Sequence, residues 1–540
     1  MSAFPPVEYE DFYRYTSGRW LWDEDTRLRE RYKCFNVPEL KRIAARTVGA
    51  RSCISMVKLA EGGFNKVFRL AMNNGSVVIA RIPNPNAGPS FKTTASEVAT
   101  MNFARTILEI PVPKVLSWSA DVKNPVQSEY ILMEEAAGDQ LGGAWDNLEL
   151  HTKLKIVDDI IAIEKKFLSL SFTRYGNLYF KRDAFRGCQK AEITGDLPQS
   201  LKKEVENVFV IGPVVDRDFW HRERATMDID RGPCEQHYIR HTARVLLTFT
   251  GKRPRDYLQA VGQREIAWIG RYAATNPPNP LIKTSEAQRN PEAHTALYKK
   301  FLQVADYLLP SDHQIRPTLW HWDIHAPNIF VHGDQITNLI DWQDTWLGPL
   351  FLQAQHPRLV DYDGKVMLRL PENYETLQVD EKARVRTQVE RSIILWAYET
   401  ESRKANPIVH DILHLCQGRT RRDTVAFSAN TWDKDIIPFR QCLIRVARHW
   451  SEINSEIPCP INFTEEEIRA HHRDGEGWNE TADFWDSLQG VVDRDGWTSN
   501  ENYDQAIDYF AQLREQGLQN LNGEERSEFE KDARWAVRNI

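Results

Sequence analysis

Apolar and polar positions fall first into short strand-like runs and later into long stretches of helical period. Asn36 followed three residues on by Glu39 has the form of a helix cap. Leu40, Ile43 and Ala44 then make one apolar face, and Gly49 ends the helix. Cys53 to Leu59, Lys66 to Met72 and Val77 to Ile82 predict three strands. The last two are joined by Asn73-Asn74-Gly75, a strong hairpin turn because these residues accept positive φ. Ala95 to Ala104 reads as a helix, Pro111-Val112-Pro113 as an extended segment and Tyr130 to Met133 as a buried strand. These elements predict a small antiparallel-sheet lobe over residues 50–137.

Helical period dominates beyond it. Lys153 to Leu170 carries Ile156, Ile160, Ile161, Ile163 and Phe167 on one side, and Tyr257 to Tyr272 and Glu292 to Leu309 also predict helices. Tyr175 to Phe180 reads as an edge strand. Residues 184–240 have no clear period and predict an irregular insertion in a larger, mostly helical lobe over 138–375. A carboxyl-terminal extension, 376–540, holds candidate helices at 380–403, 434–453, 464–473, 479–493 and 502–518. Ahead of the sheet, residues 1–49 predict the capped helix and an arm. The arm's Tyr9, Phe12, Tyr13, Tyr15, Trp20 and Trp22 are too many rings to leave in water. The fold class is therefore α+β with two lobes.

Composition narrows the partners. The 540 residues are 41% hydrophobic and 27% charged, with net charge −7, which offers no basic footprint for nucleic acid. No apolar run is long enough to span a membrane, so no membrane insertion is expected. Seven scattered Cys without a C-x-x-C argue against zinc or a disulfide framework and fit a reducing compartment. The amino terminus, with Glu8, Glu10 and Asp11, resembles neither a secretory signal nor a mitochondrial presequence, which points to the cytoplasm. Trp478, Trp485 and Trp497 interleave with Asp483, Asp486, Asp493 and Asp495. Such faces would suit a cationic substrate's ammonium group, and a helical bundle with a solvated acidic side fits the same spacing. Nothing in the pattern addresses oligomeric state.

The candidate chemistry lies in His321 to Asp341. Asp323 and Asn328 are five apart with Pro327 between them, which disfavours a regular helix. Ile329-Phe330-Val331 predicts a short strand, His332 to Gln335 a turn and Ile336 to Ile340 the returning strand, bringing Asp341 back beside Asn328. A carboxylate placed to accept a hydroxyl proton, with an amide oxygen and a second carboxylate facing one metal, is the equipment of phosphoryl transfer. Magnesium suits such hard oxygen ligands, because phosphates and water complete its shell. Upstream, Gly62 and Gly63 in the turn Ala60 to Val67 let backbone amides approach phosphate oxygens, and Asn65 can tune that turn.

His-x-Asp-x-x-x-x-Asn followed by an apolar hairpin and Ile-Asp resembles the catalytic loop and metal motif of the aminoglycoside phosphotransferase and choline kinase superfamily, whose members have a protein-kinase-like fold. The resemblance covers residues 50 to 350. The wording of Tyr15 to Trp20, Glu61 to Lys66 and Trp320 to Asn328 is similar to a fungal branch named after altered inheritance of mitochondria, which implies a mitochondrial location against the evidence of the amino terminus. The resemblance implies Asp323 as catalytic base, Asn328 and Asp341 as magnesium ligands and His321 as the residue that braces the loop. It also implies Arg81 where such proteins usually carry Lys, paired with Glu97, and a hinge at Glu134 to Ala136 whose backbone meets adenine. The phosphate loop is not a full G-x-G-x-x-G, and the absence of Asp-Phe-Gly and Ala-Pro-Glu favours a small-molecule kinase over a protein kinase. The expected activity is ATP-dependent phosphorylation of a small-molecule hydroxyl. Arg81 and the helical extension motivate the alternative of a nucleotide-binding scaffold with little or no turnover.

Overall fold

The computed structural model describes residues 8–229, 231, 254–276 and 285–537; the end of the insertion, with Gly232-Pro233, lies outside them. Asn36 caps α1 (Val37–Thr47), its side-chain oxygen accepting the Glu39 N–H at 3.1 Å. Val37, Leu40 and Ala44 of this helix are buried against Phe68 and Leu70 of the first lobe's sheet. That sheet contains β1 (Cys53–Glu61), β2 (Asn65–Met72), β3 (Val77–Pro83), β4 (Val115–Ser119) and β5 (Tyr130–Met133). All its pairings are antiparallel, in the order β1-β2-β3-β5-β4. Every second residue of β2 is buried, from Lys66 through Phe68 and Leu70 to Met72. Lys66 is the polar exception. Its ammonium reaches Arg31 O, Asn84 Oδ1 at 2.7 Å and Glu61 Oε1 at 3.5 Å, and burial pulls its pKa down to about 8.

Helix α2 (Lys92–Thr106) follows β3, is buried along most of its length and packs against both β4 and β6 (Asn177–Phe180). The second lobe is built on α3 (Leu150–Leu168), with α4 (Pro254–Tyr272) against α5 (Pro291–Leu308) in a neighbouring core. The insertion is more regular than its sequence suggests. Helix Gln199–Val208 leads into strand Phe209–Gly212, which lies between Gln189–Lys190 and Asn177–Phe180. The strands are too short to register a period, while Leu201, Val205 and Val208, at helical spacing, were the available signal for the helix.

In the extension, α6 (Val379–Ala405) packs on α3, and α7 (Ile436–Arg448), α8 (Glu465–Ser487) and α9 (Tyr503–Asn520) follow. The expected break between 473 and 479 is absent. Thr464 and Glu467 form a full capping box, and helix α8 runs through Gly475 and Gly477. Three helices went unforeseen, Pro407–Leu413, Gly418–Phe427 and Gly523–Asp532, because each opens on a residue that reads as a breaker. Among the described residues no helix is long and apolar enough to cross a membrane.

The arm packs in two directions. Tyr13 and Phe35 join the sheet's core, while Leu21 and Trp22 join Val492, Ile507 and Phe510 of the extension. Strand Arg19–Trp20 pairs antiparallel with Trp497–Thr498. The tryptophans considered for an ammonium group take part in packing, as the helical-bundle alternative expects. Trp485 stacks near Trp22 and Phe510, Trp497 Nε1 donates to Tyr15 OH at 3.0 Å, and Trp478 packs on the core of α4 and α5.

One buried carboxyl makes stability depend on pH. Glu164 of α3 is enclosed, accepts the Tyr398 hydroxyl of α6 at 3.0 and 3.1 Å, and is pushed up to about 8 by burial. The folded state therefore holds a proton that the unfolded chain releases near its ordinary value of 4.5. This contribution is full below that value and is lost as pH rises through about 8. Thermal melts across this window should decline less for Glu164→Gln, which is neutral throughout; equal slopes would refute the assignment.

Candidate active site

Local chain geometry sets the catalytic-loop candidates. Pro327 sits in a single tight turn, Ala326–Asn328, which leads into β7 (Ile329–His332). The chain reverses at Gly333, with φ 65°, into β8 (Gln335–Leu339). The Ile340 N–H donates to Asn328 O at 2.9 Å, which sets Asp341 beside Asn328. Asp341 itself has φ 61°, a left-handed conformation that Asp tolerates better than most residues. Asn328 Nδ2 donates to Asp323 at its main-chain O, 3.1 Å, and at Oδ2, 3.2 Å. Asp323 Oδ1 is buried and makes no hydrogen bond among the described residues. Arg358 Nη2 lies 3.5 Å from it, and His325 Nε2 lies 3.8 Å from Oδ2.

His321 is a brace. It is buried, its Nε2 meets Ile340 O at 3.0 Å, and Trp342 packs edge-on to its ring at 4.9 Å. Burial lowers its pKa, so the imidazole is neutral and donates to that carbonyl.

The first lobe meets this loop through Arg81 and its glycine turn. Gly62 N–H donates to Asn65 O at 3.0 Å. A Cβ at Gly62 would meet nothing within 4 Å, and one at Gly63 only Arg31 Nη2 at 4.0 Å, so both glycines border open space. Arg81, on β3, is buried and ion-paired with Glu97 of α2. Its Nη2 donates to Gln343 Oε1 and lies 3.4 Å from Asp341 Oδ1. Burial works against the guanidinium charge, and Asp341 and Asp344 support it. Asn65 Nδ2 also donates to Gln343 Oε1, at 2.6 Å, and Gln343 Nε2 donates to Ala87 O at 2.9 Å. One amide thus joins β2, β3 and the segment before α2 to the stretch that carries Asp341.

The hinge is only partly as expected. Glu134 donates its N–H to Lys114 O at 3.0 Å, and its carboxylate accepts the Lys114 N–H at 3.2 Å. Its N–H therefore continues the sheet instead of facing a base. Ala136 lies beyond the sheet, where the chain crosses between lobes. Ala137 O then accepts from Thr337 Oγ1 and Asn338 Nδ2 of β8. Gly138, at φ 95°, lies so close to β7 and β8 that a Cβ would collide with Val331 O and Thr337 Oγ1. Gly138→Ala should therefore cost at least about 1–3 kcal/mol. A lower urea midpoint at unchanged slope would check this, and an unchanged midpoint would contradict it.

Gln343, Asp344 and Arg217 were not singled out in advance. Gln343 and Asp344 directly follow Asp341, and that adjacency was the available signal. Asp344 is paired with Arg217 at 3.1 Å, and burial pushes its carboxyl up to about 6.

A donor set of one carboxylate and one amide oxygen, Asp341 and Asn328, fits magnesium that takes its remaining ligands from phosphate and water. Among the described residues no group of three or more His, Cys, Asp and Glu could hold a metal ion alone. Asp341 is 48% exposed and open to such a shared cation.

A small antiparallel-sheet lobe over a helical lobe, with a His-x-Asp-x-x-x-x-Asn loop between them, defines a protein-kinase-like phosphotransferase fold. The model of the phosphotransferase enzyme family matches residues 238–352. A subtelomeric hrmA-associated cluster protein of Aspergillus fumigatus is 33% identical over 485 residues, covering 86% of this chain and 92% of that protein. Altered inheritance of mitochondria protein 9, mitochondrial, of Yarrowia lipolytica is 25% identical over 528 residues, covering 92% of this chain and 85% of its own. The crystal structure of aminoglycoside phosphotransferase APH(4)-Ia aligns at a TM-score of 0.36 and 12% identity, over 78% of this chain and 100% of that one. The chain belongs to the phosphotransferase enzyme family, among the fungal proteins related to altered inheritance of mitochondria protein 9.

Proposed function

We propose that the protein is an ATP-dependent phosphotransferase acting on a hydroxyl of a small molecule. The observation that carries this reading is the reach of Arg81 across the cleft to Asp341, whose neighbour Ile340 is hydrogen-bonded to Asn328, which is in turn bonded to Asp323. The Gly63 amide and the Arg81 guanidinium would hold the phosphates, with Glu97, Gln343 and Asn65 fixing that guanidinium and the loop. Gly62 would give the phosphates room, its own N–H being spent on Asn65 O where the sequence suggested a phosphate donor. Ala136, at the lobe crossing, is the hinge position assigned to the adenine. Asn328 and Asp341 would hold magnesium, which neutralises charge on the phosphates when bound. Asp323 takes the acceptor's hydroxyl proton as the new O–P bond forms and the bond to the bridging oxygen of ADP breaks.

The test is calorimetry of ATP with and without magnesium, followed by a panel of hydroxyl metabolites scored by ADP release. Magnesium-dependent binding with one acceptor that turns over supports the reading, and binding of no nucleotide refutes it. The commitment of Arg81 to Glu97, Gln343 and Asp341 favours a second reading, a nucleotide-binding scaffold. Tight binding without ADP release on any acceptor would select it. The Yarrowia lipolytica relative, altered inheritance of mitochondria protein 9, is named as mitochondrial. We place this chain in mitochondria too, and fractionation of cells expressing it tests that assignment.

A further inference from the structure

The insertion sends a charged side chain into the cleft. Arg217 begins a single turn, Arg217–Phe219, that is held firmly on both sides. Asp216 Oδ1 accepts the Asp218 N–H at 2.9 Å, Phe219 is buried, and Trp220 Nε1 donates to Val214 O at 2.9 Å. Just before the turn, the Val215 N–H donates to Asn177 Oδ1 at 3.1 Å. Asn177 is fully buried, and its Nδ2 donates to Ser96 Oγ at 2.8 Å and Thr345 O at 2.9 Å. One buried amide therefore ties the root of this turn to the neighbour of Glu97 and to the segment just past Asp341. From that root Arg217 Nη2 reaches Asp344 Oδ2 at 3.1 Å. Its guanidinium also stacks 3.5 Å from the ring centre of Phe64, the residue after Gly62-Gly63.

We propose that Arg217 is a phosphate-binding residue, which exchanges Asp344 for the terminal phosphoryl group of bound ATP. The proposal rests on the nucleotide reading above. Arg217 spans the two elements that a terminal phosphate must lie between, the glycine turn and the metal motif. A planar fork of donors suits phosphate as well as carboxylate, and Asp344 stands in for that anion here. Arg81 already serves Glu97 and Gln343, so a second cation meets a charge that Arg81 alone leaves underbalanced. Arg217 is 35% exposed and its backbone is anchored, so the side chain turns while the turn stays put. An arginine supplied in cis acts on the charge of the transferring group.

The decisive measurement is calorimetry of the full chain with magnesium, comparing a non-hydrolysable ATP analogue with ADP. Arg217→Ala should weaken the analogue about tenfold or more and leave ADP within about twofold. Arg217→Lys should fall between, and it carries the comparison if the alanine variant does not fold. Asp344→Asn should tighten the analogue, because a competing carboxylate is gone. Equal losses for both nucleotides in Arg217→Ala, or no loss, would overturn the proposal. So would a weakening of both by Asp344→Asn, the result of a purely structural clamp. Wild-type protein that binds neither nucleotide would instead sink the phosphotransferase reading on which the proposal stands.

Discussion

Asp323→Asn should lower turnover by about 10²–10⁴-fold while nucleotide affinity stays within about twofold. The replacement keeps the shape of the side chain and an oxygen for the Asn328 amide, now 3.2 Å from Oδ2. It removes the one property a proton acceptor needs, because an amide is a far weaker base than a carboxylate. The Oδ1 atom is buried, makes no hydrogen bond among the described residues and has the Arg358 guanidinium at 3.5 Å as its near charged neighbour, so in the proposed reading it is the oxygen that takes the proton. In the proposed reading, binding energy for ATP would come instead from the glycine turn, Arg81 and the Asp341 side, none of which the variant touches. ADP release with the acceptor found by screening, measured beside calorimetry, checks both halves. Turnover near the wild-type rate would remove Asp323 from the chemistry.

Glu265→Ala should cost about 3–5 kcal/mol of stability. Glu265 of α4 is fully buried and accepts from Arg224 Nε at 3.1 Å, Arg224 Nη2 at 2.6 Å and Arg264 Nε at 2.6 Å. Arg224 and Arg264 are buried too, with their guanidiniums over Trp268 and Phe219. Deleting the carboxylate leaves two cations in a low-dielectric interior with one shared counter-charge gone. Urea unfolding of wild type and variant measures the loss, and Glu265→Gln should fall between the two. A loss below about 1 kcal/mol would mean that Asp433, 3.5 Å from Arg224 Nη1, already balances the pair. Because Arg224 belongs to the insertion, the same variant should blunt the preference for ATP over ADP assigned to Arg217.

What the sequence disclosed follows from how local each signal is. The hairpin from Ile329 to Leu339 is legible because its strands and turn are contiguous, and Asp341 falls beside Asn328 by pairing alone. The cap at Asn36 and the turn at Asn73-Asn74-Gly75 are legible for the same reason. Arg81 and Glu97 are sixteen positions apart but lie on adjacent elements of the same small lobe, so the family pattern reaches them. Gln343 carries no such signal. Its role exists only where Asn65, Arg81 and Ala87 converge, and no short window holds all four residues. Asn177 is hidden in the same way, since its partners Ser96, Val215 and Thr345 come from three distant stretches. The tryptophans of the extension left two readings open because a ring that packs and a ring that binds a ligand have the same spelling.

The footing of the glycine turn has a consequence for synthesis. Glu61, the residue before Gly62, accepts the Thr16 N–H at 2.7 Å, and Asn500 Nδ2 holds Thr16 O at 2.8 Å. Trp20 Nε1 reaches Asp495 across 475 positions. While the ribosome is still translating residue 400, every other part of the cleft has already emerged, yet this prop has no partner. A nascent chain therefore leaves the glycine turn unpropped until residues 495 and 500 have been made, and a stop introduced near residue 490 would be felt at Gly62 and Gly63.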